Sequence, residues 1–430
     1  MPIELPYETF TLPNGLQVIA HEDRSVPLVA VNLWYRVGSA HERPGRTGFA
    51  HLFEHLMFEG SAHVPAGEFD RLLEAVGGVN NGSTTPDWTN YYELVPANAL
   101  ELALWLESDR MGWLLPAITQ EKLDTQRDVV KNERRQSYEN RPYGLAYETL
   151  LAELYPPDHP YHWPVIGSMA DLDAATLEDV HAFFRVHYAP NNASLVVAGA
   201  AAPDDVLRLV ERYFGEIPAG PEPEPLSPPP AALDGERRRV LEDTVQLPRL
   251  YLAWHSPAYL EPGDAELDTA AAVLADGKAS RLHRLLVYER RIAQSVQSFQ
   301  QSGRFGSTFM IVVTGRPGSS LAELERLVRS ELESVARSGV EQRELDRARN
   351  RIETAFFDEL QSVADRADRL NLYAYYADDP GYVARDLERY RRLTPALMQR
   401  AVERHLLDSP GVVLSVIPHG RAELAAMEAA

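Results

Sequence analysis

At the middle of the chain lies a run, Glu216 to Glu236 (EIPAGPEPEPLSPPPAALDGE), in which Pro, Ala and Glu displace any periodic apolar pattern. Such a stretch favours extended polyproline II and reads as a semi-rigid linker. A break at this point divides the 430 residues into two parts of domain size, and the parts resemble one another. Thr176 opens TLEDVHAFFRVHYAPNNASLVVAG; Thr394, 218 residues later, opens TPALMQRAVERHLLDSPGVVLSVIP. Each reads as a helix, a turn and an apolar strand. VPLVAVNLWY, with Pro27, stands against LPRLYLAWHS, with Pro248, at an offset of 221, and both read as buried strands. The expectation is two homologous domains, 1–215 and 237–430, joined by the linker 216–236. In each, strands come first, then several helices (97–115 and 121–140 among them), then a late strand. That order predicts an α+β fold, with helices packed on one face of a mainly antiparallel sheet.

Composition narrows the chemistry. The net charge of −21 repels a phosphate backbone, so nucleic acid is not an expected partner. The absence of Cys excludes disulfides, thiolate zinc sites, iron–sulfur clusters and cysteine nucleophiles, which leaves His, Asp and Glu to hold any metal. The opening MPIELPYETFTLPNGLQV lacks a basic n-region followed by an apolar core, and no stretch has the roughly 18 uninterrupted apolar residues of a membrane span. A cytoplasmic location with no membrane partner is the expectation.

Residues 46–60, RTGFAHLFEHLMFEG, form an apolar helical pattern with Thr47 as expected N-cap and Gly60 as expected stop. His51, Glu54 and His55 stand at i, i+3 and i+4 and share one helix face. Two imidazoles so placed can grip one ion while the carboxylate between them reaches a water on it. This inverts the order of the commoner zinc-protease helix. Burying two His and a Glu among Leu52, Phe53, Leu56, Met57 and Phe58 would be costly without a metal or hydrogen bonds. A catalytic zinc then needs a third protein ligand, here a carboxylate, with the fourth position open. Glu133, in QRDVVKNERRQSYENRPYG, is the leading candidate, with Asp128 and Glu139 as alternatives by chemistry alone.

HLFEHLMFEG followed 78 residues after His55 by Glu133 resembles the pitrilysin/insulinase family of zinc metallopeptidases. The resemblance continues through GGVNNGSTTPDWTNYYELVP (77–96), YHWPVIGSMADL (161–172) and the duplicated halves, and so covers essentially the whole chain. It implies His51, His55 and Glu133 as ligands of one zinc ion per chain, with Glu54 as the general base acting on metal-activated water. It further implies that Asn81, Gly82 and Ser83 lie on an edge strand beside the zinc, where a peptide substrate adds as a further strand. The family commonly has a second Glu seven residues before the ligand Glu; here that position is Gln126, which can hydrogen-bond but adds no negative charge.

At the 221 offset the counterpart of the zinc helix is DAELDTAAAVLADG, Asp264 to Gly277, which contains no His, so the second half is expected to be metal-free. Active relatives usually carry an Arg and a Tyr in that half; here YERRIAQSV has Gln294 where Tyr is expected, with Arg281 and Tyr288 as weak candidates for substrate contact. Since some bacterial relatives divide the labour between two chains, the resemblance implies a heterodimer with a metal-free paralogue, or alternatively a homodimer. The functional expectation is a zinc endopeptidase acting on short unfolded peptides or presequences; the alternative is a noncatalytic binding or assembly subunit of a two-chain complex. Tyr373, Tyr375 and Tyr376 are read as core packing without a role.

Overall fold

The computed structural model describes residues 4–426; the outermost ends of the expected domains, 1–3 and 427–430, lie outside the described residues. Eleven strands are found among them: β1 Glu8–Thr11, β2 Gln17–Glu22, β3 Leu28–Tyr35, β4 Val79–Thr84, β5 Thr89–Pro96, β6 Ala193–Gly199, β7 Arg237–Asp243, β8 Arg249–Ser256, β9 Ala293–Gln301, β10 Ser307–Gly315 and β11 Val412–Pro418. They make two sheets, ordered β1-β2-β6-β3-β5-β4 and β7-β11-β8-β10-β9. The second order repeats the first without β1. Each sheet has one parallel pair, β2 with β6 and β7 with β11, and the rest is antiparallel. The fold is α+β, as expected, and the duplication is visible in the strand order.

The central strands are apolar on both faces because both faces are covered: β6 and β10 are buried along their whole length. Edge strands are more polar, as β4 (VNNGST) illustrates. The Pro-rich run has neither helix nor strand from residue 218 to 233, and Gly220 near its start exchanges two hydrogen bonds with Asn191, at 2.8 and 3.1 Å.

The compact units do not follow chain order at every point. Among the described residues one comprises 4–134, 163–227 and 357–384; the other comprises 135–162, 228–356 and 385–426. The helix Val363–Tyr376, from the second half of the sequence, therefore packs on β3 and β6 of the first unit. Its counterpart in the first half, the helix Ala146–Leu154, packs on β8 and β11 of the second unit. Among the described residues no helix is long and apolar enough to cross a membrane.

Candidate metal centre

The His-bearing helix spans Phe49–Leu56, shorter than the 46–60 pattern suggests. Thr47 is not its N-cap. That position is Gly48, whose φ of 87° is left-handed, and the free N–H groups of Gly48 and Ala50 are taken by the half-buried Glu42 carboxyl group at 2.9 and 2.8 Å. Thr47 instead donates to Asp171 at 2.6 Å and accepts from Ser168 N at 3.0 Å. Gly60 is not the stop either; the helix ends at Leu56 and Gly60 lies beyond a further turn, at φ 87°. Phe49, Leu52, Phe53 and Leu56 are buried, and this leaves His51, Glu54 and His55 on the remaining face.

Glu133 is carried by the helix Gln120–Arg134. Several fastenings bring it to the His helix. Lys122 donates to the carbonyls of Glu59 and Ala117 at 2.7 and 2.8 Å, and Gln126 donates to Glu59 Oε1 at 2.6 Å. The segment from Gly167 to Asp173 braces both helices: Arg134 donates to Gly167 O at 2.8 Å, Lys131 to Asp173 at 2.5 Å, while Asp171 holds Thr47.

The result is one cluster. His51, His55 and Glu133 place one ligand atom each within 4.8 Å of one another, the single group of three or more His, Asp or Glu with this property among the described residues. Asp128 and Glu139, the alternatives, are exposed and outside it. Glu133 Oε2 lies 3.7 Å from His51 Nε2 and 3.5 Å from His55 Nε2. Two donors each about 2.1 Å from a shared tetrahedral ion stand roughly 3.4 Å apart, so this spacing suits a cation between them. The other nitrogen of His51, Nδ1, is buried without a hydrogen-bond partner among the described residues, so these satisfy neither ring nitrogen well. Burial pushes the His51 imidazole down to about 4, against the pull of Glu133, which keeps it neutral and able to bind a metal. For His55 burial also works against the charged form, but Glu133 and then Glu54 outweigh it and the net shift is upward. The facing His55 holds the Glu133 carboxyl below its usual range. The donor set and its geometry fit a zinc ion.

Glu54 accepts a 2.6 Å hydrogen bond from Thr84 Oγ1. Burial raises its carboxyl above the ordinary range, and the Thr84 bond partly offsets this. Thr84 ends β4, the edge strand that also carries Asn81, Gly82 and Ser83. Gly82 makes a close approach here: a Cβ would meet the Tyr91 ring at 3.1 Å and Glu54 Cγ at 3.2 Å, so both side chains would have to shift slightly to admit one. Among the described residues β4 pairs only with β5, through Asn81 with Tyr92, Gly82 with Tyr91 and Ser83 with Asn90, leaving its other edge unpaired within the sheet. The Gln126 amide is bound to Glu59 and also faces His55. Glu42 and Thr84 carry no signal in the local sequence pattern that would mark them as site residues.

In the second unit the helix Asp264–Ala275 takes the counterpart position. The offset of 221 sets Ala272 and Asp276 against the two imidazoles, and Asp276 is occupied by Arg351 through two 2.6 Å hydrogen bonds. Arg281 is committed to Glu344 at 2.7 and 2.8 Å and to Glu331 at 3.1 Å, while Tyr288 is 51% exposed.

Known proteins supply the comparison. Residues 17–159 match the family model described as insulinase, peptidase family M16, and residues 174–352 match the peptidase M16 inactive domain. A zinc protease of Helicobacter pylori, PqqE, is 33% identical over 380 residues, covering 86% of this chain and 83% of that protein. The crystal structure of a protease from Helicobacter pylori superposes with a TM-score of 0.89 at 28% identity, covering 97% of this chain and all of that one. An M16 inactive-domain structure from Pseudomonas fluorescens shares the fold, with a TM-score of 0.87 at 22% identity over 96% of this chain and 98% of that one. With both family models matched and a zinc protease 33% identical over most of its length, the chain belongs to the insulinase family of peptidases, M16.

Proposed function

We propose that the chain is a zinc-dependent endopeptidase that hydrolyses peptide bonds of short unfolded peptides or presequences. One observation carries this reading above the rest: Glu54 stands on the same helix face as two imidazoles that share the Glu133 carboxylate, and it is itself oriented by Thr84. His51, His55 and Glu133 would hold the ion. When bound, zinc supplies a Lewis acid for the scissile carbonyl and lowers the pKa of water.

Glu54 then does the proton work. A carboxylate whose burial lifts its pKa is a better base than a solvated one, so it can take a proton from water and return it to the departing amine. The β4 edge offers main-chain donors and acceptors to an extended peptide, and its small residues leave room for the substrate's side chains. Recognition through the backbone tolerates many sequences. Folded proteins, which expose no extended segment, would be poor substrates.

Gln294, exposed on β9 at the position where active relatives carry Tyr, supports a partner: a metal-free paralogue supplying the missing substrate grip. A homodimer is the second reading. Cleavage of a fluorogenic peptide, with and without a chelator, tests the activity in the single chain and in a co-expressed pair. Chelator-sensitive cleavage is expected. Cleavage that persists after complete metal removal would overturn the assignment.

A further inference from the structure

The helix Val363–Tyr376 reaches the β4–β5 hairpin from the sheet face opposite the metal centre. Cross-strand partners lie on one face, so Gly82, Tyr91 and Leu33 face the His helix while Ser83, Asn90 and Trp34 face the other way. On that second face Asp368 Oδ1 accepts from Trp34 Nε1 and Asn90 Nδ2, both at 3.2 Å, and Asn90 Oδ1 accepts from Ser83 Oγ at 2.6 Å. The turn of the hairpin is held at Asp87, which is buried: Tyr376 donates to its carboxylate at 2.8 Å and Tyr375 to its carbonyl at 2.9 Å. From the other side Ser39 N and Ala40 N donate to the carbonyls of Thr85 and Pro86, at 3.1 and 2.8 Å. Tyr375 and Tyr376, two of the three tyrosines read from the sequence as plain core residues, thus use their hydroxyls on the hairpin that carries Thr84.

We propose that Asp87, Tyr376 and Asp368 are positioning residues: through them the Val363–Tyr376 helix fixes where the β4 edge lies in front of Glu54, and so sets how tightly an extended peptide is held. This rests on the reading of β4 as the substrate strand. The physical sense is that an edge strand has a sheet neighbour on one side only, so the turn and the Ser83–Asn90–Asp368 chain must supply the stiffness that a second neighbour would give. None of these side chains need touch the substrate. They act on affinity through the place they give to a strand that does.

The test uses the full chain, or the complex if two chains are needed, and the variants Tyr376→Phe, Asp87→Ala and the pair combined. Each single change should raise KM about tenfold and leave kcat and zinc content within about twofold, and the double variant should be no worse than the worse single. Asp87→Asn, which keeps an accepting oxygen, should restore KM. An unchanged KM in Tyr376→Phe, or a fall in kcat alone, would overturn the proposal. Amide hydrogen exchange separates this from the peptidase reading. If the wild type cleaves no peptide, that reading fails, yet exchange in residues 79–84 still decides the tether: about tenfold faster in Tyr376→Phe supports it, and no change refutes it.

Discussion

Thr84 donates its hydroxyl to Glu54 Oε2 over 2.6 Å, and this single bond joins the edge strand of the first sheet to the carboxylate assigned the proton transfer. Thr84→Val removes the donor but keeps the shape. Turnover should fall about tenfold with zinc content unchanged, since a hydrogen bond to a charged group is worth roughly 1.5–3 kcal/mol. Thr84→Ser should retain activity. Steady-state kinetics on a fluorogenic peptide, alongside metal analysis, gives the answer; equal turnover in the Val and Ser variants would remove Thr84 from the machinery.

Glu42 binds the N–H groups of Gly48 and Ala50 and so caps the helix that carries both imidazoles. Glu42→Ala would leave two buried donors without a partner, at a cost of about 2 kcal/mol or more. Thermal denaturation of the metal-free protein should show a lower Tm, and competition titration should show zinc bound about tenfold more weakly. Wild-type values for both would mean that the helix needs no cap from outside.

Arg110 is 1% exposed and held between Glu107, at 2.8 Å from its Nε, and Glu93, at 3.2 Å from Nη2. Its guanidinium also lies over the Tyr91 ring, 4.3 Å from the centroid, behind Gly82. Arg110→Met would strand two buried carboxylates, and chemical denaturation should report a loss of about 3–5 kcal/mol. A loss under about 1 kcal/mol would show that the acids can stay neutral at little expense.

His187 illustrates the acid limit. Burial first, and His41 beside it second, push its imidazole down to about 3, so the folded chain keeps it neutral where the unfolded chain takes a proton. A lowered folded pKa means that its contribution is fully present above about 6.5 and is lost as pH falls toward 3. Its ring packs against Phe183, centroid to centroid 4.5 Å, and Nδ1 has no hydrogen-bond partner among the described residues, so Phe is a reasonable replacement. Between pH 8 and pH 5 the His187→Phe variant should lose about 2 kcal/mol less stability than the wild type. Parallel denaturation curves at the two pH values would contradict this.

How much of this was legible depended on the range of the interaction. The duplication was readable because β3 and β8, and the helix–strand pairs opening at Thr176 and Thr394, repeat local patterns of burial. The placement of the Ala146–Leu154 and Val363–Tyr376 helices on sheets of the opposite half was not, since an apolar helix face reads the same whichever sheet covers it. The His-Glu-His face is a matter of helical spacing and could be read directly. Glu133 could not be separated from Asp128 and Glu139 by spacing, because it was selected by the fastenings of Lys122, Lys131 and Arg134 to residues far away in sequence. The Thr47 cap failed for a related reason: Asp171 claims its hydroxyl, and Glu42 serves the helix end instead.

The central claim is that His51, His55 and Glu133 together hold one ion beside Glu54, and zinc stoichiometry measured on purified chains tests it most directly. The wild type and Glu54→Gln should each carry close to one zinc per chain, and His55→Ala and Glu133→Ala close to none. A wild-type chain that takes up no zinc after reconstitution, or a Glu133→Ala variant that holds it as firmly as the wild type, would contradict the account.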